Sequence, residues 1–182
     1  YAELAIDSNH SFTVREALVF SDKVQKYDIA WFEEPIHGFD FKGYGELAES
    51  CPIPVAAGES VRNHYMFTPY LDAGVRHFQP VPSSFAGVRE WMQVRDMAVQ
   101  NNIRFSSGGL PLLACPLIAT AGDEAMEEFL EVCNQPVLDC MEVTVERREG
   151  RFYLPDIPGL PFRLDMKWLK KKGYLLSYVR YA

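Results

Sequence analysis

Six short apolar runs, each starting about 25 residues after the one before, are the feature that most constrains the fold of this 182-residue chain. The runs are Leu4–Ile6, Ile29–Phe32, Pro54–Ala57, Val75–Phe78, Ile103–Phe105 and Phe129–Val132. This spacing is typical of a strand followed by a helix. Strands that alternate with helices pair in parallel through right-handed crossovers, so we predict an α/β fold, either a doubly wound sheet or part of a (β/α)₈ barrel.

The segments between these runs carry helical patterns. Thr13 and Glu16 have the spacing of a capping box, which indicates a helix that begins just after Thr13. Residues 85–102 carry apolar side chains at helical spacing, and we expect Val88, Trp91 and Val99 to face the core.

A different pattern begins near Asp139. Met141, Val143 and Val145 alternate with polar residues, and a Glu-Gly pair at 149–150 indicates a turn before a return strand at residues 151–154. We therefore predict an antiparallel hairpin appended to the strand-helix units.

The composition excludes several classes of protein. A net charge of −7 opposes a broad nucleic-acid surface, and no apolar run approaches the length of a membrane span, so we expect neither nucleic acid nor membrane as a partner. The four cysteines form no CxxC pair, and the chain opens without a signal-like stretch. We expect a cytoplasmic protein with reduced thiols, whose true start lies upstream of residue 1.

Acidic residues follow the first three runs at equal intervals of 26 residues, as Asp7, Glu33 and Glu59. Because the carboxyl ends of parallel strands lie at one edge of a sheet, we expect these side chains to converge. Three oxygen donors without Cys or His suit a hard cation, so the pattern predicts a Mg²⁺ site. Taken singly, each acid is also explained as a helix cap or as the partner of a base in the next loop, and for Asp7 this explanation is the better one, because Asp before a helix is common. Taken together, the equal intervals favour the metal site, because Glu33 and Glu59 lie in apolar surroundings, where a charge costs free energy unless it is paired or coordinated.

Four motifs in this order resemble a known family. Residues 6–9 (IDSN), 31–35 (WFEEP) and 56–60 (AAGES) look like the D-x-N, W-[FI]-E-E-P and G-E elements of the enolase superfamily, in its mandelate racemase/muconate lactonizing branch. Residues 155–159 (PDIPG) add a similar element near the carboxyl end. The resemblance runs from about residue 2 to 165.

The resemblance implies a partial TIM (β/α) barrel of about six units, corresponding to barrel strands three to eight, with a C-terminal β-hairpin extension. We accordingly expect an incomplete barrel domain at 1–138 and an extension at 139–182 that would pack on a capping domain outside this chain. A partial barrel has two open edges, which is unfavourable, so we also expect a homo-oligomer.

The resemblance further implies a Mg²⁺ cofactor held by Asp7, Glu33 and Glu59, and a sugar acid or other small carboxylic acid as substrate. Asn9 and Ser107 are expected to bind that substrate, and Ser106 is a second hydroxyl that could hydrogen-bond it; packing in the core is the alternative for both serines. Glu131 is expected to end the eighth barrel strand as an electrophilic catalytic acid.

The Asp and His of the racemase base dyad are replaced here by Val81 and Gly108. We interpret His10, His37 and His64 as surface histidines, and His77 as too deep in its strand to act. The departure favours an acid-sugar dehydratase (a lyase) over a racemase (an isomerase). The alternative is a catalytically inactive, truncated remnant.

Overall fold

A computed structural model describes residues 2–177 and 179, and in it six parallel strands form one sheet. The strands are β1 (Leu4–Asp7), β2 (Ile29–Glu33), β3 (Val55–Ala57), β4 (His77–Phe78), β5 (Arg104–Ser107) and β6 (Met126–Glu127). Their order in the sheet is their order in the chain. In a doubly wound sheet the order of the strands reverses at a switch point. Here the order is unbroken, which confirms the partial (β/α) barrel, curled as a half-barrel.

Helices follow the first five strands along the chain. They are α1 (Val14–Val24), α2 (Phe41–Ser50), α3 (Phe67–Ala73), α4 (Val88–Gln100) and α5 (Pro111–Ile118). The capping box is confirmed: the Glu16 amide donates to Thr13 Oγ1 at 3.3 Å, and the Thr13 amide donates to Glu16 Oε2 at 2.9 Å. These bonds satisfy two backbone donors at the start of α1.

The main core lies between the outer face of the sheet and the helices. Phe32 of β2, Phe78 of β4 and Phe105 of β5 belong to this core, in which Trp91 of α4 is fully buried. The stripe that α4 presents consists of Trp91, Val94 and Ala98. Val88 and Val99 were predicted to face inward, but they are 60% and 59% exposed because they lie on the first and last turns, off this stripe.

The opposite, concave face of the sheet is polar. Arg104 of β5 lies over the ring of Trp31 of β2 at 4.7 Å and pairs with Glu3, which precedes β1. His77 Nε2 lies 2.7 Å from Ser106 Oγ on the same face. Since β1 and β5 are not neighbours in the sheet, the Glu3–Arg104 pair shows directly that the sheet curls.

The sixth strand does not lie where the sequence predicted it. Residues 129–132 are not a strand: β6 is Met126–Glu127, and the helix α6 (Glu131–Leu138) begins inside the predicted segment. Asn134 explains the difference, because its side chain accepts a hydrogen bond from the Leu130 amide at 2.9 Å and donates to the Gly109 carbonyl at 3.0 Å. These contacts hold the segment at the start of α6 although its residues favour a strand.

The C-terminal region forms two small antiparallel sheets and a short helix. Its elements are β7 (Met141–Val143), β8 (Glu146–Arg148), β9 (Arg151–Tyr153), β10 (Arg163–Leu164) and α7 (Met166–Lys171). The predicted hairpin is the β8–β9 pair, with the positive φ angles at Glu149 and Gly150 that a two-residue turn of this kind needs. The predicted first strand is split, since β7 pairs with β10 instead. Val145 packs on Leu112 and Cys115 and so ties this region to α5.

The division at residue 138 and the docking of the extension on a capping domain stay predictions. None of the helices within the described part of the chain has the length and apolarity that crossing a bilayer requires.

Candidate metal centre at the strand ends

The register of the sheet brings the first two acids side by side. Asp7 and Glu33 are direct partners in the β1–β2 ladder, and Glu33 is paired in turn with Ala56 of β3. Glu59 follows β3 after Gly58. We call this edge, the carboxyl end of β1–β6, the mouth of the half-barrel.

Gly58 is required for this arrangement. Its φ of +137° belongs to glycine, and a Cβ there would lie 2.7 Å from the Phe67 ring. The backbone can therefore pass close to α3 and bring Glu59 to the mouth only if residue 58 has no side chain.

Glu33 lies at the centre of the acidic group. Its Oε2 accepts a hydrogen bond from Trp31 Nε1 at 3.0 Å, and the side chain of Gln79 donates to it as well. Burial raises the pKa of Glu33, and the nearby charges of Asp7 and Glu59 raise it further. The three predicted ligands are thus close enough to repel one another, as a group of carboxylates does when no cation lies between them.

Asn9 orients Asp7. The Asn9 amide donates to Asp7 Oδ1 at 2.9 Å, and the Asn9 side chain donates to Oδ2. Both residues are exposed at the mouth. Asn9 therefore holds a predicted ligand in place, and its predicted contact with substrate stays a prediction.

Ser107 does not offer the hydroxyl predicted for substrate binding. It is 1% exposed, and its Oγ donates to the Pro80 carbonyl at 2.8 Å. Successive side chains of β5 point to opposite faces of the sheet, which explains this result: Ser106 faces the concave side and contacts His77, so Ser107 faces the other side.

Glu131 does not end a strand, so the premise for its predicted role was wrong. It begins α6 with its side chain 63% exposed, and its two oxygens accept from Arg147 at 2.7 and 3.1 Å. This ion pair is a surface contact that lowers the pKa of Glu131.

Glu128 is the acid that the sequence reasoning missed. It follows β6, and its amide continues the ladder by donating to the Ser107 carbonyl at 2.8 Å. Burial raises the pKa of Glu128 to about 7, and the charges of Glu33, Asp7 and Glu59 add to the shift, so its carboxyl faces theirs across the mouth. The strand spacing did not separate the two positions, since Met126 and Phe129 fall 23 and 26 residues after Ile103, where the preceding run starts.

Glu128 fills the space left by the missing dyad. A Cβ built on Gly108 would lie 2.8 Å from Glu128 Oε2 and 3.8 Å from Val81 Cγ2. Val81 and Gly108, the two replaced positions, are therefore neighbours, and a carboxyl oxygen of Glu128 lies beside them.

The four histidines differ in their surroundings. Only His37 is exposed, whereas His64 Nδ1 lies 2.6 Å from Glu90 Oε2 and His10 contacts the buried Glu34, so the surface interpretation of these two was wrong. His77 lies deep in β4, where burial and the Arg104 charge lower its pKa to about 3. His77 is consequently a neutral part of the barrel interior.

Comparison with known proteins shows which family the chain belongs to. Residues 1–168 match the family described as "Enolase C-terminal domain-like". The chain belongs to this family.

Two curated members of the enolase family are similar over most of the chain. It is 34% identical over 176 residues to the D-galactarolactone cycloisomerase of Agrobacterium fabrum, covering 89% of this chain and 47% of that protein. It is 25% identical over 165 residues to the L-talarate/galactarate dehydratase of Salmonella typhimurium, covering 89% of this chain and 40% of the relative. The chain thus spans slightly less than half the length of these enolase relatives.

Solved structures of the enolase superfamily share the fold. The L-talarate dehydratase of Polaromonas sp. JS666, complexed with Mg and L-glucarate, superposes with a TM-score of 0.82 at 20% identity, covering 91% of this chain and 44% of that one. At this identity the likeness supports the fold alone.

The donor set of the three predicted ligands suits a hard divalent cation. Asp7, Glu33 and Glu59 provide only oxygen, which is what Mg²⁺ prefers. Within residues 2–177 and 179, none of the ion pairs involves these three acids or Glu128. A divalent cation would relieve the repulsion that raises the pKa of Glu33.

Proposed function

We propose that this chain is the metal-binding part of a Mg²⁺-dependent enolase-superfamily enzyme that removes the α-proton of a hydroxy acid or sugar acid. The observation that carries the proposal is that Asp7, Glu33 and Glu59 follow neighbouring strands at the mouth, near enough for the charges of Asp7 and Glu59 to raise the pKa of Glu33, without a basic partner in the described part of the chain. The names of the relatives, which include a talarate/galactarate dehydratase, support a sugar acid as the substrate class.

Mg²⁺ held by these three carboxylates would supply fixed positive charge for the substrate carboxylate and for the negative charge that develops on it when the α-proton leaves. The chain's own contribution is to position the ligands. Asn9 fixes both oxygens of Asp7, and Trp31 fixes one oxygen of Glu33. Such contacts orient ligands and raise metal affinity.

We assign the proton transfer to Glu128, in place of Glu131. Burial is the main cause that raises the pKa of Glu128, and a carboxyl whose pKa is raised in this way suits a general base that then acts as an acid. Glu128 also occupies the space beside Val81 and Gly108, where the family resemblance places the missing dyad.

One such group favours dehydration over racemisation. In a dehydration the proton that Glu128 takes from the α-carbon can return to the departing β-hydroxyl, which leaves as water. Racemisation needs an acid-base group on each face of the α-carbon. Val81 and Gly108, at the two dyad positions, supply no ionisable group.

Self-association and a cytoplasmic location stay predictions. Leu4 on the outermost strand β1 is 54% exposed, which agrees with an uncovered sheet edge. Light scattering at micromolar concentration tests self-association, and a strictly monomeric species would contradict it.

Hydrogen-deuterium exchange tests the proposed reaction. The chain is incubated in D₂O with Mg²⁺ and a panel of aldonic and aldaric acids, and loss of the C2 proton signal is followed by ¹H NMR. We expect Mg²⁺-dependent exchange or water loss with at least one acid, absent in Glu128→Gln and retained in Glu131→Gln. A chain that binds Mg²⁺ but exchanges no acid in the panel would contradict the proposal and favour the inactive remnant.

A further inference from the structure

A second group of potential ligands lies beside the acidic mouth. His10, Glu34 and Glu59 each place one ligand atom so that the three atoms lie within 4.8 Å of one another. Two of these residues, His10 and Glu34, are outside the proposed Mg²⁺ set. This group contains a nitrogen donor, which the Mg²⁺ set lacks.

The orientation of His10 is fixed by a backbone carbonyl. Nδ1 lies 2.9 Å from the Ile36 carbonyl oxygen, and a carbonyl only accepts, so Nδ1 carries the proton. In the neutral ring Nε2 then has a free lone pair, which faces Glu34 Oε2 and lies 3.0 Å from Ser60 Oγ. Metal-binding histidines are typically held in this way, with the other ring nitrogen donating to a carbonyl.

Glu34 aims a buried oxygen at the same point. Its side chain is 1% exposed, and its Oε1 accepts from the amides of Gly58 and Glu59 at 3.1 Å each. Its Oε2 has one partner among the described residues, His10 Nε2, with which it forms an ion pair when the ring is protonated. A buried carboxylate oxygen in this position requires a proton or a cation next to it.

The backbone holds both residues in place. His10 has a φ of 63° and Glu34 a φ of 35°, both in the left-handed region that non-glycine residues rarely adopt. The His10 amide donates to the Glu34 carbonyl at 2.7 Å, which locks the two loops together. Strained residues of this kind concentrate at functional sites.

We propose that His10 Nε2, Glu34 Oε2 and Glu59 form a second divalent-cation site, which takes a transition metal of the Zn²⁺ class. One imidazole and two carboxylates are a donor set that such metals prefer over Mg²⁺. Two carboxylates and a neutral ring balance a divalent charge. The His10 side chain is 25% exposed, which leaves a path for the ion to enter. Glu59 is common to this site and the Mg²⁺ site, but His10 and Glu34 belong to this site alone.

Metal titration of the whole chain tests the site. The chain is first saturated with Mg²⁺, then titrated with Co²⁺ followed by visible absorption and with Zn²⁺ followed by calorimetry. We expect one further equivalent, with the absorption bands of nitrogen and oxygen coordination, and a shift of the ¹⁵N resonance of His10 Nε2. His10→Gln and Glu34→Gln should each weaken Zn²⁺ binding by at least about ten-fold.

His37→Gln is the matched control, because the His37 ring lies 6.2 Å from that of His10 and is not in the group. It should leave the Zn²⁺ affinity unchanged. Absence of a further equivalent, equal Zn²⁺ affinity in His10→Gln, or an unchanged Nε2 resonance in the wild type would each overturn the proposal in favour of a buried His-Glu ion pair. The His10 Nε2 resonance is measured in the wild-type chain, so it tests the site even if the variants fail to fold.

Glu33→Gln separates this proposal from the proposed function. That variant should lose the Mg²⁺ equivalent and keep the His10-dependent one. Wild-type chain that binds no Mg²⁺ but still binds Co²⁺ through His10 would contradict the proposed function and support the second site.

Discussion

The two ends of the six strands differ in whether their charged side chains have partners of opposite charge. At the amino end, Arg104 pairs with Glu3 and lies over the Trp31 ring, so the half-buried cation is compensated. At the mouth, four acids face one another, and burial and mutual repulsion raise the pKa of Glu33 and Glu128. A fold that only needed stability would compensate both ends, so the uncompensated end is the one where we place function.

The largest effect is expected from the mouth. Glu128→Gln keeps the shape of the side chain but removes its proton transfer, so α-proton exchange should fall by about 10²-fold or more. Thermal unfolding should be unchanged or improved, because a repelled charge is removed. A variant that exchanges protons as fast as the wild type would show that the proton is transferred by another residue.

Trp31 connects the two ends, since its ring contacts Arg104 and its Nε1 donates to Glu33. Trp31→Phe keeps an aromatic ring and deletes the hydrogen bond, so Mg²⁺ affinity should fall by about ten-fold. Calorimetric titration measures it, with Phe39→Leu, an exposed aromatic site, as the control. Unchanged affinity would mean that Trp31 does not orient a ligand.

Arg104→Met removes the cation at the amino end but keeps much of the side-chain volume. We expect a loss of about 1 kcal/mol in the free energy of unfolding, from the contacts with Trp31 and Glu3, measured by urea denaturation. Mg²⁺ affinity should be unaffected. A loss of Mg²⁺ binding without a loss of stability would reverse the roles that we give to the two ends.

The smallest effect concerns pH. The pKa of Glu128 is about 7 in the folded chain and near 4.5 in the unfolded chain, so the folded state binds more protons between these values. Without metal, its contribution to stability is complete below pH 4.5 and is lost as the pH rises through 7. Because this carboxyl is half-exposed and screened, we expect less than about 1 kcal/mol. Glu128→Gln should flatten the pH dependence, and Glu3→Gln should not.

The sequence predicted what depends on local periodicity and register. The run spacing placed five of the six strands, and the equal interval between Asp7, Glu33 and Glu59 anticipated that these acids lie at one edge. The sixth strand was misplaced because Phe129–Val132 has the composition of a strand, whereas the segment is the start of α6, where the Leu130 amide donates to the Asn134 side chain. That single error moved the expected acid from Glu128 to Glu131.

Other misses come from tertiary contacts that no local pattern contains. The partners of His10, such as Ile36 and Ser60, are 26 and 50 residues away in the chain. The prediction for Ser107 failed because side chains alternate between the two faces of β5. The Ser107 hydroxyl lies on the face opposite to the concave one and donates to the Pro80 carbonyl.

Calorimetric titration of the chain with Mg²⁺ tests the central claim most directly. We predict one saturable equivalent for the wild type, lost in Glu33→Gln and in Glu59→Gln and retained in Glu3→Gln, which changes an acid at the opposite end of the strands. No saturable binding by the folded wild type, or equal binding by Glu33→Gln, would contradict a metal centre at the mouth.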